Sequence, residues 1–254
     1  MKNIEVKVFN PEAIAEAEKL MVATARLTQT GHKIKNLQDF NAMYHDSYTQ
    51  NTVKNLMGLK HNTLRQFNMI QVVVAGASRR FLSQITRRRA GVTFMSASLQ
   101  YSDYSNDSQF VVPYEILEKG TVITESYLSN CKTSMTAYIN AVESGIDQDA
   151  AGYLAPQGLA NVILISATPQ AWIEMIQQRT CKRNTKEMRY VMLKTWQQLH
   201  AFNSNMFASQ ITGPYCMRGK CEEGIFKCNE PIKNFLTPAE IIKEDFPLLT
   251  EDIT

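Results

Sequence analysis

No stretch of this 254-residue chain is apolar for the roughly 18–20 residues that a membrane-spanning helix needs. Its opening, from Met1 to Leu20, also lacks the apolar centre of a secretory leader. Both absences point to a cytoplasmic protein. Charge of one sign is scarce too. Against 24 acidic residues stand 27 basic ones, a net charge of +3, which is too small for wholesale nucleic-acid binding and makes the placement of the arginines more informative than their sum. The five cysteines are odd in number and widely spread, so a disulfide framework is excluded and reduced thiols are expected. Internal repeats are absent as well. What remains is ordinary globular material, 44% hydrophobic and 20% charged, enough to bury one sizeable core.

Alternating polar and apolar residues from Ile4 to Phe9 predict a strand, and the spacing from Pro11 to Leu27 predicts a helix with proline in its first turn. Asn36 to Leu59 reads as polar helix ending near Gly58. The β-branched run from Phe67 to Ala77 predicts a strand that passes through Ser78, a natural helix cap, into a basic helix starting at Arg79. A second strand follows from Val92, a helical stretch spans Pro113 to Glu143, and Ala160 to Thr168 reads as a strand buried on both faces. Two helices come next, one opening at Pro169 and one covering Thr185 to Ala208. The composition changes after Gly213-Pro214. We therefore expect an α/β (α+β) fold with a mixed sheet flanked by helices, in a single core domain over residues 1–213 and a Cys-containing C-terminal tail over 214–254.

Five arginines fall between Arg79 and Arg89. In a continuous helix Arg80, Gln84 and Arg87 share a face, which would present two guanidiniums and an amide to an anion. The alternatives are a solvated basic helix or a nucleic-acid-binding one. Thr93, Ser96 and Ser98 in the following strand favour a small ligand, because short hydroxyl donors hold a ligand close to the backbone.

The run Gln84-Ile85-Thr86-Arg87-Arg88-Arg89, followed by Ser96-Ala97-Ser98-Leu99-Gln100-Tyr101-Ser102, resembles the signature of the flavin-dependent thymidylate synthases, in which an Arg-His-Arg triplet precedes a Ser-x-Arg-Tyr element. Upstream, Gly58 to Thr63 resembles the family's Gly-His-x-Ser/Thr element, and Gly76-Ala77-Ser78-Arg79 its turn into the basic helix. Downstream, Leu154-Ala155-Pro156 resembles its Leu-Pro element, and Arg179 with Asn184 to Arg189 its Arg and Ala-Gln-x-Glu-Ile-Arg elements. The likeness runs from about residue 20 to 210. Departures are specific: Arg88 replaces the triplet's histidine, Gln100 the later arginine, Gln66-Phe67 a Glu-His pair, and Gly152 an arginine before Leu-Pro.

The resemblance implies a single thymidylate synthase-complementing-type domain that converts dUMP to dTMP, with FAD delivering the hydride and NADPH and methylenetetrahydrofolate as cosubstrates. It implies that Gln84, Arg87, Ser96, Ala97, Ser98, Leu99 and Gln100 hold the nucleotide and that Arg179 assists ionisation of the base. His61, Thr63, Arg87, Arg88, Arg89, Ala90, Thr168 and Glu174 would line the FAD site, with Glu174 in place of a usual asparagine. It also implies a homotetramer, whose interface Trp172, Met175 and Ile176 would serve unless they are core, the default for such helical spacing. The losses at Gln100 and Gly152 keep open a second reading on the same scaffold, methylation or hydroxymethylation of another pyrimidine deoxynucleotide such as dCMP. A non-catalytic nucleic-acid-binding module is the alternative of another class. Cys216, Cys221 and Cys228 lie in a turn-rich segment that could supply three thiolates to zinc, but the spacing is not that of a zinc finger and a structural zinc takes four ligands, so a reduced-cysteine tail without metal is the expectation and zinc the alternative. Neither Cys131 nor Cys181 has a neighbouring base to activate it.

Overall fold

The computed structural model describes residues 1–46, 49–106 and 108–250. Four strands, β1 (Glu5–Val8), β2 (Ile70–Ser78), β3 (Val92–Ser96) and β4 (Ala160–Ala167), form one sheet in the order β1-β2-β4-β3. Every pairing is antiparallel. The sheet is therefore not mixed, although its flanking by helices is as expected. The helices are α1 (Glu12–Thr30), α2 (Leu37–Asp46), α3 (Gln50–Met57), α4 (Arg79–Ile85), α5 (Tyr114–Leu117), α6 (Thr121–Glu143), α7 (Gln148–Ala151), α8 (Pro169–Arg179), α9 (Lys186–Phe202), α10 (Ser209–Thr212) and α11 (Pro238–Asp245).

One face of the sheet carries the core. Val72, Val74, Ile163, Ile165 and Ala167 point into it and pack with Ile14 and Met21 of α1, Trp172, Met175 and Ile176 of α8, and Val191, Leu193 and Trp196 of α9. Each fully buried Val, Leu, Ile or Met among them contributes about 1.5–3 kcal/mol. Trp172, Met175 and Ile176 are thus core residues rather than interface ones. Trp172 also fixes the start of β2, since its Nε1 donates to the Ile70 carbonyl at 3.0 Å.

The other face is uncovered. Val162 is 44% exposed, Leu164 37% and Met95 73%, so β4 is not buried on both faces as its unbroken apolar run suggests. An antiparallel sheet tolerates an open face where an all-parallel one does not. The expected core boundary at Gly213 is crossed by packing: Met217, Ile241, Ile242 and Phe246 belong to the same core, and Phe246 stacks edge-on against Tyr114 with ring centroids 5.2 Å apart.

Candidate active site

The basic segment is placed by a bulge. Gly76 sits at φ +75° between Ala75 and Ala77, where the register shifts, and a Cβ there would lie 2.6 Å from the Asn3 carbonyl oxygen. Only glycine meets both demands. Ser78 then caps α4, its Oγ accepting from the Phe81 amide at 3.1 Å, as its sequence position predicts. The next two amides, of Arg79 and Arg80, each donate at 3.0 Å to the carbonyls of Leu159 and Gln157. The arginine side chains therefore leave from a fully anchored backbone.

Arg79 lines a cleft of about 520 Å³ with Ser96, Ala97, Ser98, Leu99, Gln100 and Gly152. The segment after β3 is itself held: the Ala97 amide donates to Val162 O at 3.2 Å, Asn161 Nδ2 donates to Ala97 O at 3.1 Å, and Ser98 Oγ accepts from the Gln100 amide at 3.0 Å. Arg79 Nη1 is buried with no hydrogen-bond partner. A guanidinium donor without a protein partner, beside a cleft, is suited to an anion. Helical periodicity had singled out Arg80 instead, which is exposed. Arg79 is visible in the sequence as the first of five arginines, but only the bulge at Gly76 tells which way it faces.

Gln84, Arg87 and Arg179 gather at the other end of α4. The helix stops at Ile85 with Thr86 as its C-cap, so Arg87 is not on the helical face assigned to it with Arg80 and Gln84. Arg179 Nη2 donates to the Gln84 carbonyl at 3.1 Å, and Thr185 Oγ1 donates to Gln84 Oε1 at 3.2 Å. Burial lowers the Arg179 pKa, and the nearby Arg87 charge lowers it further. Seven helical residues span about 10 Å, so the expected nucleotide residues lie toward the two ends of α4.

The expected flavin residues are partly assembled. Arg88 is ion-paired with Glu174, which also accepts from Gln170 Nε2 at 2.6 Å. Gln170 Oε1 in turn accepts from Arg65 Nε at 2.7 Å, and Arg65 Nη2 reaches Asn62 Oδ1 at 2.8 Å. Asn62, Arg65, Arg88, Gln170 and Glu174 line a polar cleft of about 350 Å³. His61 and Thr63 flank Asn62 on the same turn and are exposed, as are Arg87, Arg89 and Ala90. The arginine turn ends at Gly91, φ +69°, whose carbonyl accepts from the Thr168 amide at 3.1 Å. Arg88 Nε is buried without a partner, and with Arg87 and Arg89 exposed on either side this donor set fits a diphosphate such as that of FAD. Arg65 and Gln170, 105 residues apart, escaped the sequence reading because no local pattern joins them.

The structure places Cys181 just beyond α8 and brings it, with Cys216, Cys221 and Cys228, to the wall of one cavity of about 860 Å³. Burial pushes the Cys181 thiol up. Among the described residues no group of three or more His, Cys, Asp or Glu side chains is placed to hold a metal ion. Nor is any helix among them long and apolar enough to cross a membrane.

The family model described as thymidylate synthase complementing protein matches residues 12–202. Proteins named flavin-dependent thymidylate synthase resemble the chain at low identity. The one from Geobacter sulfurreducens is 24% identical over 69% of this chain and 74% of its own length. That from Clostridium tetani is 20% identical over 90% and 95%. Among solved structures, a UMP/dUMP methylase from Streptomyces cacaoi, bound with 5-Br dUMP, superposes with a TM-score of 0.64 at 13% identity, covering 83% of this chain and 96% of that one. At that identity the superposition speaks for the fold, while the matched family segment spans the bulge, the arginine turn, the cleft segment and the α8–α9 corner: the chain belongs to the thymidylate synthase complementing protein family, as a divergent member.

Proposed function

We propose that this chain is a flavin-dependent enzyme that adds a one-carbon unit to C5 of a pyrimidine deoxynucleotide, converting dUMP to dTMP with methylenetetrahydrofolate and NADPH as cosubstrates. The observation that carries the reading is that Arg79, whose Nη1 is buried without a partner, lines one cleft with the hydroxyl-bearing segment Ser96–Gln100. A nucleotide phosphate satisfies that donor. The hydroxyls of Ser96 and Ser98 and the side chain of Gln100, with the backbone at Ala97 and Leu99 close by, would orient the rest of the nucleotide. Gln84, Arg87 and Arg179 would meet the base, and Arg179, partly withdrawn from water, would favour negative charge on the ring. Arg87, Arg88, Arg89, Ala90 and Thr168, with His61, Thr63 and Glu174, would hold FAD, which when bound supplies the hydride.

The division of these residues between the two ends of α4 supports a site completed by another copy of the chain. A homotetramer would provide it, and the open apolar face of the sheet gives the copies a surface to share.

A second reading is favoured by one observation. Gln100 and Gly152, both lacking the family's arginine, line the Arg79 cleft, so the ligand there is gripped by fewer charges and dCMP, or a hydroxymethyl product, is the alternative. Purified protein should be yellow and retain flavin. Incubation with dUMP or dCMP, NADPH and labelled methylenetetrahydrofolate should then give a product heavier by a methyl from dUMP; a hydroxymethyl mass or turnover of dCMP alone selects the second reading. Colourless protein that refuses FAD and turns over neither nucleotide defeats both.

A further inference from the structure

Glu187, the second residue of α9, is buried, and both its oxygens are committed to one residue of another element. Glu187 Oε1 accepts from the Ser78 amide at 2.7 Å and Oε2 from Ser78 Oγ at 2.5 Å. Ser78 is the cap of α4, so a carboxylate 109 residues away completes the cap. Two residues earlier in the chain, Thr185 caps α9 with its own Oγ1 and donates that same hydroxyl to Gln84 at the far end of α4. The start of α9 therefore grips α4 at both ends. The Met1 ammonium also favours the Glu187 charge, but the two hydrogen bonds to Ser78 are what fix the direction of its carboxylate.

We infer that Glu187 is a positioning residue for the Arg79 cleft, setting through Ser78 where the first turn of α4 starts and hence where the Arg79 guanidinium reaches. The inference rests on the reading of that cleft as the nucleotide site. Glu187 touches no ligand itself. Its two hydrogen bonds act on the residue immediately before Arg79, and an error of about 1 Å at the backbone is enough to spoil a guanidinium–phosphate geometry.

The test measures three quantities on the full chain: Kd for dUMP and dCMP by calorimetry, amide hydrogen exchange over residues 78–82 without ligand, and the thermal midpoint. Glu187→Gln keeps the shape but removes one acceptor. It should weaken nucleotide binding about 10-fold, speed exchange in the first turn of α4, and leave the bound flavin unchanged. Should Glu187→Gln fail to fold, Ser78→Ala breaks the same link from the other side. The double variant should bind no more weakly than the worse single one, because one link can be broken only once. Val191→Ala, a core truncation on the same helix at a side chain that can make no hydrogen bond to Ser78, should lower the thermal midpoint and leave Kd alone, which separates positioning from general loosening. Wild-type binding with equal Kd in Glu187→Gln, or effects that multiply in the double variant, would overturn the inference alone. Wild-type protein that binds neither nucleotide overturns both it and the reading beneath it.

Discussion

Arg79 lines its cleft with one guanidinium nitrogen buried and unpaired, a cost of order 1–3 kcal/mol that the proposed nucleotide phosphate would offset. Substitution should therefore hurt binding more than folding. Arg79→Gln is expected to weaken nucleotide binding by roughly 10- to 100-fold, the worth of a charged hydrogen bond, without loss of flavin absorbance or of thermal stability; equal affinity in the variant would remove Arg79 from the site. At Glu187 the sign of a pH effect can be worked out. Burial, the largest influence, raises its pKa above the ordinary 4.5, while the Ser78 hydrogen bonds and the Met1 ammonium pull it down and Glu115 pushes it up. A carboxyl raised in the folded state contributes stability that is complete below 4.5 and is lost as pH climbs through the raised value. Urea midpoints measured from pH 4 to 8 should thus fall with pH more steeply in wild type than in Glu187→Gln across that window. Parallel profiles would mean that Glu187 ionises as freely folded as unfolded.

At the scale of elements, much of the site's frame was legible because local rules and tertiary structure agree. Ser78 is a side-chain cap in fact as in pattern, and Pro169 opens α8 as expected, with Thr168, read as the end of the strand, serving as its cap. Thr168 does two jobs, accepting from the Ala171 amide at 3.2 Å and donating its own amide to Gly91 at the end of the arginine turn. Thr168→Ala should cost about 1 kcal/mol, lowering the thermal midpoint by roughly 2–4 °C in a chain of this size, and calorimetry can read it directly. The helical period of the sequence continues through Arg87, whereas α4 ends two residues sooner and the triplet lies in a turn that closes at Gly91 in left-handed backbone. Three adjacent guanidiniums carry no periodic signal of their own, so nothing local says whether they continue a helix. The chain Arg65–Gln170–Glu174–Arg88 was illegible for a different reason, since its members come from distant segments and meet only through the fold. The Cys-containing segment read as a tail because its irregular turns hide the fact that α11, beyond it, returns to the core through Ile241, Ile242 and Phe246.

For the whole molecule the open face of the sheet is the feature that asks for an explanation. In register across three strands, half-buried Val73 lies opposite Leu164 and Leu164 opposite Met95, with half-buried Ala75 opposite Val162 beside them, so the exposed Met95, Val162 and Leu164 belong to one contiguous apolar patch rather than standing singly. Such a patch buried between identical chains makes a self-complementary interface. It would also account for the separation of Arg79 and Ser96–Gln100 from Gln84, Arg87 and Arg179, if neighbouring copies bring the two groups together. Leu164→Glu tests both halves of this idea. Because Leu164 is partly exposed in the single chain, a charge there should change the stability of the folded protomer by little, within about 0.5 kcal/mol for a surface substitution, while placing like charges against each other at a symmetric contact. Sedimentation should then show a smaller assembly, circular dichroism an unchanged fold, and the nucleotide assay a loss of turnover far beyond any loss of stability. An unchanged assembly mass in Leu164→Glu would exclude this face as the contact, and a dissociated but fully active protein would show that each chain completes its site alone.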